Sequence, residues 1–289
     1  MRADIPIDAT TGAGSGAGSR PSFRGIVTGP ASFVRSRFWQ LVRVALFYAG
    51  LLLLWQFLYE AEIWSPFLFP SPSDVWEALK GTTENGLLWT SIRETMRRLA
   101  IGFALAFAAG MIVGMACGSL RWVDETLGSL VLGMQSLPSI TWLPLAVLWF
   151  GLNEQAIIFV VLMGSVWAIA ISARDGVRNI PPLQRRAALV FGASRWQTVR
   201  YVTLPGMLPS MAQGLKLGWS FSWRSLMAGE LLFVAGGLGY LLQIGRDLND
   251  MALVIAVMGV IVGIGLAFDR LLFGPFEGWV RHRWGMSQG

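Results

Sequence analysis

Apolar residues along this chain come in long unbroken runs rather than in alternation. Six stretches, at residues 39–59, 99–118, 127–150, 155–173, 207–234 and 251–273, are predominantly apolar. Each is close to the roughly twenty residues with which an α-helix crosses a bilayer core. Lipid admits only helices and closed barrels, and the ten-residue alternation of a membrane barrel is missing here. The pattern predicts an all-α, polytopic membrane protein with six transmembrane helices.

The segments between the runs fit that reading. Residues 1–37 carry a Gly/Ser/Ala-rich stretch and scattered arginines with no apolar face, which reads as a disordered cytoplasmic tail. Residues 38–89 hold the first transmembrane helix, an outer turn around Pro70 and Pro72, and a short helix expected to start with Ser73 as its N-cap. Residues 90–273 contain the other five runs, and 274–289 form a basic tail. With the N-terminus inside, Arg121, the arginines of 174–200, the arginines of the N-terminal region, Arg270, Arg281 and Arg283 share one side. Lys80, Arg93, Arg97, Arg98 and Arg246 fall on the other. The bias predicts both termini in the cytoplasm.

Composition narrows the function. At 54% hydrophobic and 14% charged residues the surface is built for lipid, so the net charge of +6 is read as cytoplasmic Lys and Arg and not as a nucleic-acid footprint. One cysteine, Cys117, and one histidine, His282, leave no disulfide framework, thiolate cluster, His-based triad or ordinary zinc site. A membrane enzyme would need converging ligands or acids that the runs do not offer. No metal and no cofactor is expected in this chain. An ion-coupled secondary transporter is the alternative, but it calls for an inverted repeat and several buried carboxylates, and Glu230 is the only carboxylate well inside a run.

Ala106, Gly110, Gly114 and Gly118 recur every fourth residue in the second run, and Gly259 and Gly263 repeat the spacing in the last. Small residues at this spacing let another helix approach closely, as a sliding contact or as static packing. The fifth run carries charges deep in apolar sequence. At 100° per residue, Lys216, Trp219, Ser220, Trp223, Arg224, Met227 and Glu230 fall within an arc of about 140°. That stripe either lines a solute path, with Lys216 or Arg224 attracting an anion and the tryptophans filtering shape, or is satisfied internally by Glu230 or Asp269. Gln135, Ser139 and Trp142, set around Pro138 and Pro144 in the third run, are a second candidate wall or a simple kink.

The loop 174–205 is the most ordered of the polar segments. Pro181-Pro182 can open a helix, Gly192 can stop it, and Ser194 with Gln197 forms a capping-box pattern for a second short helix, which Leu204-Pro205 is expected to end. Read physically, this elbow is a docking surface or an amphipathic pair lying on lipid. Its residues Ala187-Ala188-x-x-x-Gly192, followed by Val202-x-Leu204-Pro205, are similar to the EAA loop of ATP-binding-cassette importer permeases. The resemblance covers residues 90–273, including Leu143-Pro144-Leu145 and Leu148-Trp149-Phe150-Gly151. With Leu68-Phe69-Pro70-Ser71-Pro72 it looks like the branch that imports nitrate, sulfonates, taurine or bicarbonate.

This resemblance implies a type-1 permease domain over 90–273 in a bacterial inner membrane and a non-catalytic chain. The implied partners are ATPase subunits that bind ATP and magnesium, a second permease copy (homodimeric or heterodimeric) and an external solute-binding protein. It further implies that Arg186, Ala187, Ala188, Gly192, Ser194, Leu204 and Pro205 belong to the coupling site. Arg186 departs from the pattern, since the family commonly has glutamate there.

Overall fold

The computed structural model describes residues 30–232 and 236–284, without the side chains of 30–38, 40 and 41. It divides into two units, one ending at Leu53 and one running from Leu54 onward. Helix α1, Pro30–Glu60, supplies the described part of the first unit, where the apolar side chains from Val44 to Leu53 are exposed as lipid-facing groups would be. The tail expected over 1–37 lies outside the described residues as far as residue 29, and from Pro30 the chain is helical.

In the second unit, Trp55 donates its indole N–H to the Pro70 carbonyl at 3.0 Å, which holds the proline turn against the end of α1. Helix α2, Pro72–Glu84, is capped by Ser71 and not by the expected Ser73. Pro72 takes the first helical position, where a missing N–H costs nothing, and Asp74 three residues after Ser71 closes the capping box. Helix α3, Leu87–Ser119, begins well before residue 99. In its charged first turns Arg97 bonds both Glu94, at 3.0 Å, and Glu154, at 2.6 Å.

The third run is broken. A short α4, Arg121–Val123, leads through a π turn into α5, Ser129–Gln135. After Pro138, held in an extended conformation, come a 3-10 turn, Ser139–Trp142, and α6, Leu143–Phe150. The two halves meet at 103°, far more than a simple proline kink. Helix α7, Glu154–Arg178, follows; after it come α8, Pro182–Val190, α9, Arg195–Thr198, and α10, Leu204–Leu232. The chain ends in α11, Leu238–Asp247, α12, Met251–Phe268, and α13, Gly274–Arg283, with a π turn, Asp269–Phe273, joining the last two.

Helix α7 is the axis of the core. It packs most extensively on α3 and α10, burying Ile157, Val160, Val161, Ile169, Ala173 and Val177. Lipid tails are as apolar as leucine, so helices in a bilayer gain by close fit. The fit is made by small residues: Gly110 and Gly114 of α3 lie on the Val166 and Ala170 carbonyls, and Gly214 and Gly218 of α10 lie on Ser172 and Ile169. The α3 stripe is therefore a packing seam. A Cβ added at Gly259 or Gly263, spaced alike, would meet no neighbouring element within 4 Å among the described residues.

Among the described residues four helices are long and apolar enough to span a membrane, within Val42–Glu60, Leu87–Ser119, Glu154–Arg178 and Met251–Arg283, and the bent pair in the third run makes a fifth if it is one span. Helix α10, which carries Lys216, Arg224 and Glu230, is not among them.

Candidate functional site

The elbow forms largely as its sequence dictates. Pro181 holds an extended conformation and α8 starts at Pro182. Gly192, at φ +74°, terminates it in the left-handed region, where a Cβ would be strained. The Ala193 N–H bonds back to the Ala188 carbonyl at 3.0 Å. The Ser194 N–H donates to Gln197 Oε1 at 2.7 Å, and the Gln197 N–H returns to Ser194 Oγ at 3.2 Å, completing the cap of α9. Leu204-Pro205 does not end this helix. The backbone widens into a π turn, Val199–Thr203, and the Leu204 N–H bonds to the Val199 carbonyl five residues back. The helix thus runs on into α10 past a proline that cannot donate.

Ala187 and Ala188 are half-buried and line a cavity of about 460 Å³ with Gln184, Phe191, Tyr201 and Trp284. Around it Leu183, Val190, Phe191 and Trp196 are exposed, an apolar surface with no cover among the described residues. Arg186 is exposed and meets no carboxylate among the described residues. Arg185, which the motif does not single out, donates to the Val177 carbonyl and so fastens α8 to the end of α7. Asp124 fastens the same end from the other side by binding Arg174 and Arg178.

Two cavities flank the polar stripe of α10. One, of about 280 Å³, is lined by Gln135, Ser136, Ser139, Trp167, Phe221 and Arg224. The other, of about 270 Å³, is lined by Lys216, Trp219, Ser220, Trp223, Arg224 and Asp269, among others. Arg224 borders both. It is exposed, donates Nε–H to its own helix at the Ser220 carbonyl and lies 4.8 Å over the Phe221 ring. The break at Pro138 is what brings Gln135 and Ser139 to this place. Trp142 packs edge-on against Phe159 and lines neither cavity. Trp167, on α7, is a wall that no sequence pattern marked. Trp219 is fixed by stacking on Phe268, centroids 4.4 Å apart.

Glu230 leaves the stripe. Its side chain is 0% exposed and accepts from Arg98 Nη1 at 2.9 Å, from the Thr95 hydroxyl at 2.9 Å and from the Gly239 N–H at 3.1 Å. Arg98, 3% exposed, also donates to the Gly236 carbonyl, and the Leu238 N–H donates to the Thr95 hydroxyl. Internal pairing accounts for Glu230, and Lys216 is paired with Asp269 at 2.8 Å; Arg224 has no such partner among the described residues. Gly237, at φ +106°, and Gly239 are required beside this cluster, since a Cβ on either would lie within 2.6 Å of Glu230 atoms.

Comparison with known proteins gives a consistent result. The family described as "Binding-protein-dependent transport system inner membrane component" matches residues 78–273. The taurine transport system permease protein TauC of Escherichia coli is 30% identical over 81% of this chain and 89% of its own. The nitrate import permease protein NrtB of Synechocystis is 27% identical over 90% and 95%. In structure, a chain of the MetNI methionine ABC transporter in an inward-facing conformation superposes with a TM-score of 0.54 at 21% identity, over 66% of this chain and 96% of that one.

Proposed function

This chain belongs to the binding-protein-dependent transport inner-membrane component family, and from that premise we propose that it forms the membrane path of an ATP-driven importer for a small anion. It is a permease subunit and hydrolyses nothing itself; ATP is bound and cleaved by a separate chain. In this reading α10 is a sixth span, facing the path instead of lipid, and both termini lie in the cytoplasm. A second copy of the chain completes the path, and an external binding protein delivers the solute. The names of the relatives, which include taurine and nitrate systems, support a nitrate, sulfonate, taurine or bicarbonate type of solute.

The observation that carries the anion reading is Arg224, a cation deep in an apolar helix that borders two cavities and has no described carboxylate partner. Intramembrane charges that are not paired face water or ligand. Replacing Arg224 by leucine removes a charge-assisted hydrogen bond to the solute and lowers anion-stimulated ATP hydrolysis in proteoliposomes about ten-fold or more. Wild-type stimulation in that variant takes Arg224 out of the path.

For the elbow we propose ATPase docking at Ala187, Ala188 and Gly192, with Ser194, Leu204 and Pro205 setting its shape. The exposed apolar rim around a cavity floored by two alanines supports a receptor for a partner's side chains. Ala187→Trp fills that cavity and costs about 2 kcal/mol or more of docking energy. The expected result is loss of the co-purifying ATPase with unchanged permease yield; full recovery of the ATPase moves the docking site elsewhere. Arg186 then calls for a neutral or acidic surface opposite it.

A further inference from the structure

The two cations on the α10 stripe are not equivalent. Lys216 Nζ lies 2.8 Å from Asp269 Oδ1, reaching from α10 to the π turn that follows α12. Its side chain and that of Asp269 are 41% and 49% exposed, so the pair is part of the cavity wall and not a buried bridge. The neighbouring Glu277 is occupied by Arg281. Arg224 meets a backbone carbonyl and an aromatic ring, and no described carboxylate comes within ion-pair distance of it. The charged groups lining the two cavities are therefore Lys216, Arg224 and Asp269, two cations and one anion, with one net positive charge.

From this charge count we infer that Asp269 is a specificity-determining residue, which by neutralising Lys216 excludes dianions from the path. The inference rests on the path reading above. A monoanion seated at Arg224 brings the charge of the walls and cargo to zero. A dianion leaves one negative charge uncompensated, among walls made by Trp219, Trp223 and Phe273 and beside the Asp269 carboxylate itself. Beside apolar aromatic walls the effective dielectric is below that of bulk water, so an unmatched charge is disfavoured and like charges repel more strongly than in water. Without Asp269 the same walls would carry two free cations and would match sulfate or hydrogen phosphate dianions as well as they now match a sulfonate. Asp269 opens a π turn, whose wider backbone sets Asp269 and Phe273 on the same cavity.

Saturation-transfer NMR on the full-length protein in phosphatidylcholine nanodiscs tests this, with methanesulfonate methyl protons as the signal and sulfate as competitor at constant ionic strength. In the wild type, sulfate competes at least about ten-fold more weakly than methanesulfonate itself. Asp269→Asn abolishes that preference, and Lys216→Met, which leaves the walls neutral, weakens methanesulfonate about ten-fold. The double variant Lys216→Met/Asp269→Asn has the wild-type net charge and recovers the wild-type preference. It also answers the case in which a single variant does not fold. An unchanged preference in Asp269→Asn, or its loss in the double variant, overturns the assignment of Asp269. If Arg224→Leu leaves the methanesulfonate signal intact, the path reading falls first, which keeps the two failures apart.

Discussion

Replacing Glu230 by alanine destabilises the fold by about 3–5 kcal/mol, the cost of removing one member of a fully buried ion pair. Arg98, only 3% exposed, loses its carboxylate, and the Thr95 hydroxyl and Gly239 N–H lose an acceptor in the same step. The penalty comes from what is left behind and not from the worth of the pair, so conservative variants separate the two contributions. Glu230→Gln keeps an acceptor for Thr95 and Gly239 and gives an intermediate loss of about 1–3 kcal/mol. Arg98→Met combined with Glu230→Leu removes both charges and recovers the part of the loss due to the buried unpaired charge, while the Thr95 hydroxyl and Gly239 N–H still lack their acceptor. Thermal and denaturant unfolding of the detergent-solubilised protein reads all three. A Glu230→Ala variant within about 0.5 kcal/mol of wild type would show that the pair is not a structural joint. The joint fastens the far end of α10 to α3 and α11, and in the path reading proposed above it would thereby hold the helix that carries Arg224 and Lys216.

That joint is invisible in the sequence, and the reason is physical. Arg98 is separated from Glu230 by 132 residues and sits between Arg97 and Leu99 in a segment that reads as polar surface. A buried and an exposed arginine look alike until the fold brings a carboxylate to one of them. The opposite holds for the elbow, where every determinant is local: a proline that can start a helix, a glycine that accepts a left-handed φ, a serine and a glutamine that cap each other. Only its exit differs from expectation, because Pro205 looks like a stop when hydrogen bonds are counted in α-helical register. The π turn before it changes that register. The third run shows a different limit. Two prolines announce a break, but the 103° turn depends on what packs in the corner, here α7 and α10. The α10 stripe is legible as an arc of polar residues, and its sorting into one paired lysine, one arginine with no described carboxylate partner and one buried glutamate requires the neighbouring helices.

Gly114→Val is expected to cost about 3 kcal/mol or more, at the upper end of what overpacking costs, and to abolish assembly of active transporter. A Cβ at Gly114 would lie 2.2 Å from the Ala170 carbonyl oxygen and 2.6 Å from the Ala173 Cβ. The first obstacle is backbone, which cannot swing aside, so α3 and α7 must separate along their whole seam. With no hydrophobic drive holding helices together in lipid, the close fit given up along the seam is not recovered elsewhere. Gly259→Val is the matched control: the same residue, the same spacing motif, and nothing within 4 Å of the new Cβ. It changes unfolding of the isolated chain by less than about 0.5 kcal/mol. Equal melting of the two variants would mean that the α3–α7 seam is loose in solution. The pair also resolves what the small-residue spacing left open. Were the seam a sliding contact, its close points would have to pass one another during transport, yet Gly110 and Gly114 each sit against a carbonyl of α7. Such interlocked points resist sliding. A seam of this kind moves as one body, so movement of the elbow, which runs straight into α10, would carry α3 along with α7 rather than be absorbed between them.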